Sequence, residues 1–169
     1  MLAAILNAMT QRNPGGEPAH LLVIGYGNTL RRDDGAGPWV AEAVAALDLP
    51  GVRTLVRHQL TPELADPIAA AGTVVFVDAC AVATAAVGWG RLAPADSAQI
   101  LAHAANPATL LALARQLFGR APEAWLLTVP ASDFAFGEGL SPATQRHCPQ
   151  AVRHICALAE GVAQERATH

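Results

Sequence analysis

Two continuous apolar runs, Leu21-Leu22-Val23-Ile24 and Thr73-Val74-Val75-Phe76-Val77, dominate the hydrophobic pattern of this chain. Neither alternates with polar residues, so both predict strands covered by helices on both faces rather than strands with one wet face. Between and beyond them the period changes. Trp39 to Leu47 reads as a helix, and Val52 to His58 alternates as a second strand. Thr61-Pro62-Glu63 opens a helix running through Leu64 and Ile68 to Ala71, with Thr61 as N-cap and Pro62 in the first helical position, where a missing N–H costs nothing. Val87 to Leu92 predicts a further strand, compatible with an antiparallel edge and weakened by Gly88 and Gly90. Asn106 and Pro107 start a helix over Thr109 to Phe118 that Gly119 ends. Trp125 to Val129 is the last strand, stopped by Pro130. Ser141-Pro142 then caps one final helix, whose Val152, Ile155, Cys156, Ala159 and Val162 form an apolar stripe and leave His147 and His154 on its solvated side.

This order of elements predicts an α/β fold: a three-layer sandwich with a mostly parallel sheet of about five strands and helices on both faces. Residues 1–19, which include Gln11-Arg12-Asn13-Pro14-Gly15-Gly16, read as a flexible extension, 20–165 as a single domain and 166–169 as a tail.

Composition narrows the function classes. With 52% hydrophobic and 15% charged residues the chain is apolar, yet it has no uninterrupted apolar run of the roughly 18 residues that a membrane span needs. The net charge is −3, and the 11 basic residues, all arginine, form no stripe that would recruit nucleic acid. Cys80, Cys148 and Cys156 are odd in number and lack metal-site spacing, which fits a reducing cytoplasm better than a disulfide framework.

The chemistry gathers in Gly25-Tyr26-Gly27-Asn28-Thr29-Leu30-Arg31-Arg32-Asp33-Asp34-Gly35-Ala36-Gly37, where the first strand hands over to a helix. Leu30 stands where a dinucleotide fingerprint needs its third glycine, and a phosphate loop's Gly-Lys-Ser/Thr is absent, so nucleotide binding is the weaker reading. Adjacent aspartates repel and need a cation or hydrogen-bond donors to sit together. The plainer alternative is a turn with solvated or helix-capping aspartates. Asp78 closes the second apolar strand, and His103 precedes the Asn106 cap. If the strands are parallel, Asp34, Asp78 and His103 converge on one sheet edge. Two carboxylates and an imidazole suit a divalent ion such as nickel or zinc with positions left open, and no Ser, Cys or Thr is placed with a base as an obvious nucleophile.

The motif Gly25-x-Gly27-Asn28-x-Leu30-x-x-Asp33-Asp34-Gly35-x-Gly37, the strand end Val77-Asp78-Ala79 and His103 before an Asn-Pro cap together resemble the hydrogenase maturation endopeptidases. Gly137-Glu138-x-Leu140-Ser141-Pro142 and His58-Gln59-Leu60-Thr61-Pro62-Glu63-Leu64 also look familial, so the likeness spans about residues 21 to 157. The resemblance implies a nickel-dependent endopeptidase that trims a C-terminal extension from the precursor of a [NiFe] hydrogenase large subunit after nickel insertion. It implies Asp34, Asp78 and His103 as the catalytic, metal-contacting residues, with nickel supplied by the precursor and other divalent ions able to fill the site in vitro. Some members carry Glu at the Asp34 position. Asp33 is expected to support the loop or to stand behind the metal contacts. The alternative is a non-catalytic, nickel-checking assembly factor for the same precursor, contacting it through the same three residues and the Phe134 to Gly139 loop.

Overall fold

The computed structural model describes residues 20–81, 86–96 and 106–168. The expected extension over 1–19 and the residue His103 lie outside them.

Five strands form one sheet: β1 (Leu21–Tyr26), β2 (Val52–Arg57), β3 (Thr73–Cys80), β4 (Gly88–Arg91) and β5 (Glu123–Pro130). They lie in the order β2-β1-β3-β5-β4, all parallel except β4, which pairs antiparallel with β5 at one edge. The helices are α1 (Ala36–Ala45), α2 (Ala65–Ala70), α3 (Pro107–Phe118), α4 (Pro142–Gln145) and α5 (Cys148–Ala167).

The two apolar runs behave as their lack of alternation requires, because each strand face has its own helical cover. Leu21, Val23, Val75, Val77, Leu127 and Val129 pack beneath α1 and α5, while Leu22, Ile24, Val74 and Phe76 pack beneath α2 and α3. Phe76 is wholly buried, which stabilises the fold by about 2–3 kcal/mol relative to leaving its ring in water.

Local signals set the helix ends. In α3 the Asn106 side chain accepts from Thr109 N at 2.8 Å, and Gly119 closes the helix in the left-handed conformation. Helix α1 begins at Ala36, earlier than the sequence pattern suggested, because a 3-10 turn over Arg32–Gly35 feeds straight into it. The second expected helix likewise divides into a 3-10 turn, Pro62–Leu64, and the short α2; Thr61 has the extended backbone of a cap but makes no capping bond with its side chain.

The expected single C-terminal helix is two. Ser141 caps α4, accepting from Thr144 N at 3.3 Å, and the chain then restarts as α5. Pro149 accounts for the break, since in a continuous helix its ring would meet the carbonyl of Gln145 and it has no N–H to donate. Helix α5 continues to Ala167, two residues into the expected tail. The histidines placed on its solvated side are both half-buried. His154 stacks on Trp89 of β4 at 5.6 Å between ring centroids, and Trp89 stacks in turn on Trp125 at 5.1 Å. None of the described helices is long and apolar enough to cross a membrane.

Candidate active site

From β1 the chain passes through α1 to β2 on one side, and from β2 through α2 to β3 on the other. The carboxyl ends of β1 and β3 therefore flank the point where the winding reverses, the crevice in which open α/β sheets bind their ligands. Asp78 lies near the end of β3, Tyr26 ends β1, and Asp34 sits in the 3-10 turn that follows.

The loop after β1 is folded back on itself. Gly27 has φ +142°, and a Cβ at this position would collide with the Asp34 carbonyl. Asn28 N donates to Asp34 Oδ2 at 2.7 Å, and Asn28 Oδ1 accepts from Leu30 N at 2.9 Å, the local turn expected of an asparagine here. Helix α1 reaches the sheet because Gly37 lies against backbone: a Cβ there would meet the carbonyl oxygens of both Val77 and Tyr26.

The adjacent aspartates have opposite fates. Asp33 is fully buried, and its carboxylate accepts from Ser132 N, Asp133 N, Ser141 N and Ser141 Oγ at 2.7–3.0 Å. Burial alone would raise its pKa, but these donors outweigh that cost and hold it at about 2. Asp33 thus supports the loop, as expected. Asp34 is half-buried and belongs to the crevice.

Asp78 is half-buried too, and Tyr26 Oη donates to its Oδ2 at 2.8 Å. Its pKa is raised, first by burial and further by the charge of Asp34, while the phenol bond works the other way. The Tyr26 phenol is pushed far up by burial and by Asp78, so it remains a donor. The structure thus brings Asp34 and Asp78 into one electrostatic site, in which the charge of Asp34 opposes ionisation of Asp78 and a cation would relieve that repulsion. Among the described residues no group of three His, Cys, Asp or Glu is placed to hold a metal ion; the third expected member, His103, lies outside them. Cys148 offers no thiolate nucleophile, because burial and the Asp33 charge push its thiol up to about 11.

Tyr26 is the residue the sequence reading missed. Gly25 pairs with Val77 in the β1–β3 register, so the next step along both strands sets Tyr26 beside Asp78. Period-two alternation then puts both on the α2–α3 face, with Ile24 and Phe76. A parallel pairing of the two apolar runs would have suggested this contact.

The two aromatics of the Phe134 to Gly139 loop differ in their exposure. Phe134 is half-buried, but Phe136 is 84% exposed, beside Leu30 at 52%. Gly137 N donates to Leu30 O and Arg32 N to Gly137 O, both at 2.9 Å, so main-chain bonds join this loop to the one carrying Asp34.

No protein-family model and no curated protein sequence matches the chain. Solved structures do. The fold is shared with the hydrogenase maturating endopeptidase HybD from Escherichia coli, at 22% identity and a TM-score of 0.65 over 84% of this chain and 93% of that one. The hydrogenase 2 maturation peptidase from a Thaumarchaeota archaeon is similar at 20% identity and a TM-score of 0.61, over 82% and 97% of the two chains. The [NiFe] hydrogenase maturation protease HycI from Thermococcus kodakarensis matches at 22% identity and a TM-score of 0.60, over 86% and 93%.

Proposed function

We propose that this chain is a hydrogenase maturation endopeptidase, which removes the C-terminal extension from the precursor of a [NiFe] hydrogenase large subunit once nickel is in place. The observation that carries this reading is the pairing of Asp34 with Asp78 at the β1–β3 crevice, in a fold shared with such endopeptidases over 84% of the chain. His103 is the third member of the set. Helix α3 leads directly back to the start of β5, so its Asn106 cap stands at the carboxyl edge of the sheet, the edge of Asp34 and Asp78, and His103 is three residues before that cap.

Nickel arrives with the precursor and is part of the substrate. Contacts from Asp34, Asp78 and His103 anchor it, so a loaded precursor lays its scissile peptide in the crevice and an unloaded one is left uncut. Hydrolysis joins a water oxygen to the scissile carbonyl carbon, breaks the C–N bond and delivers a proton to the leaving amine. The ion promotes this attack, or a carboxylate does so as base. Asp78, which holds a proton more tightly than an ordinary aspartate, is suited to the second role. Three free cysteines fit work in the reducing cytoplasm.

The deciding experiment is the intact mass of a cognate large-subunit precursor, nickel-loaded and nickel-free, before and after incubation with the protein. Loss of a short C-terminal peptide from the loaded form alone is the expected result. Stable complex formation with no loss of mass would replace the protease with the non-catalytic assembly factor. Asp34→Ala, Asp78→Ala and His103→Ala are each expected to abolish cleavage with circular dichroism unchanged.

A further inference from the structure

We infer that Tyr26 is a positioning residue for Asp78: its hydroxyl fixes the carboxylate that meets the precursor's metal. This rests on the reading of Asp78 as a metal contact. The phenol is delivered rigidly. Tyr26 ends β1, a strand paired on both sides, and its ring packs against the apolar cluster beneath α2 and α3. Tyr26 Oη takes a lone pair of Oδ2 at 2.8 Å and the Ala79 amide also donates to the carboxylate, so the two orient it and leave only part of its lone-pair capacity for a cation. The packing alone does not call for this hydroxyl. A phenylalanine would fill the same space, whereas a half-buried phenol needs a partner for its polar end, and Asp78 is the partner it has. Partners of this kind orient a ligating side chain, and their loss weakens metal contact by about 10- to 100-fold.

The test compares the affinity of the nickel-loaded precursor for the wild-type chain, Tyr26→Phe, Asp78→Ala and the double variant. The nickel-free precursor serves as the reference, and thermal unfolding establishes that each variant is folded. Tyr26→Phe is expected to weaken binding of the loaded precursor by about 10- to 100-fold and to leave the unloaded one unaffected. In the Asp78→Ala background the same change is expected to have no further effect, because the phenol acts through the carboxylate that is gone. A purely structural tyrosine would instead weaken both forms of the precursor, or weaken binding again in the double variant, and either result overturns the inference. Wild-type affinity in Tyr26→Phe alongside impaired Asp78→Ala overturns the inference and leaves Asp78 as a metal contact. Wild-type affinity in Asp78→Ala removes that role and the inference with it.

Discussion

Asp33 and Ser141 lie 108 residues apart in sequence and are joined twice: Ser141 N donates to Asp33 Oδ1 at 2.7 Å and Ser141 Oγ to Asp33 Oδ2 at 2.9 Å. The clamp ties the turn that carries Asp34 to the start of α4. Because Asp33 also accepts from Ser132 and Asp133, one buried carboxylate gathers three chain segments behind the crevice. Its neighbour Asp34 is left half-buried, with Oδ2 accepting from Asn28 N at 2.7 Å.

Replacing Asp33 by Asn puts an amide donor among donors and leaves at least one of them without an acceptor. Stability is expected to fall by about 2–4 kcal/mol, and Tm by roughly 5–15 °C. Thermal unfolding followed by circular dichroism checks this. An unchanged Tm would show that the clamp contributes nothing to stability.

The same carboxylate gives the protein an acid limit. Its folded pKa of about 2 lies below the ordinary 3.8, so its contribution is complete above pH 4 and is lost as the pH falls towards 2. The shift corresponds to about 2 kcal/mol. Denaturant unfolding between pH 5 and pH 2 is expected to show a shallower loss in Asp33→Asn than in the wild type.

Asp78 has the opposite sign. Its folded pKa is above 3.8, so the ionised form destabilises the fold at neutral pH, and the penalty disappears below 3.8, where the group is protonated in both folded and unfolded states. Asp78→Asn is therefore expected to raise Tm at pH 7 and to leave it unchanged at pH 3, while abolishing precursor cleavage. A lowered Tm at pH 7 would show that burial does not dominate this carboxyl.

Phe136, being 84% exposed, contributes little to the fold. Phe136→Ser is expected to change stability by no more than about 0.5 kcal/mol and to raise KM for the precursor with kcat retained. An unaltered KM would remove the Leu30 and Phe136 surface from substrate contact.

What was legible in the sequence was local or continuous. The runs at Leu21 and Thr73 specify doubly covered strands, and Asn106, Pro107 and Gly119 mark α3 through bonds made within a turn. Asp34 and Asp78 were readable as a pair because parallel strands carry their ends to one edge. The break at Pro149 was present in the sequence but masked by the apolar stripe on either side of it. His154 on Trp89 and Tyr26 on Asp78 depend on how distant segments pack, which no single stretch encodes. Which of two adjacent aspartates turns inward is settled by amides from residues 132, 133 and 141.

The bridge between Leu30-Arg31-Arg32 and Gly137 is built from main-chain atoms. The side chains of Leu30 and Phe136 are therefore free to vary over evolutionary time without moving the turn that aims Asp34. A lineage that acquires a new partner protein can rewrite this outer face one residue at a time, and the paired aspartates behind it are inherited intact.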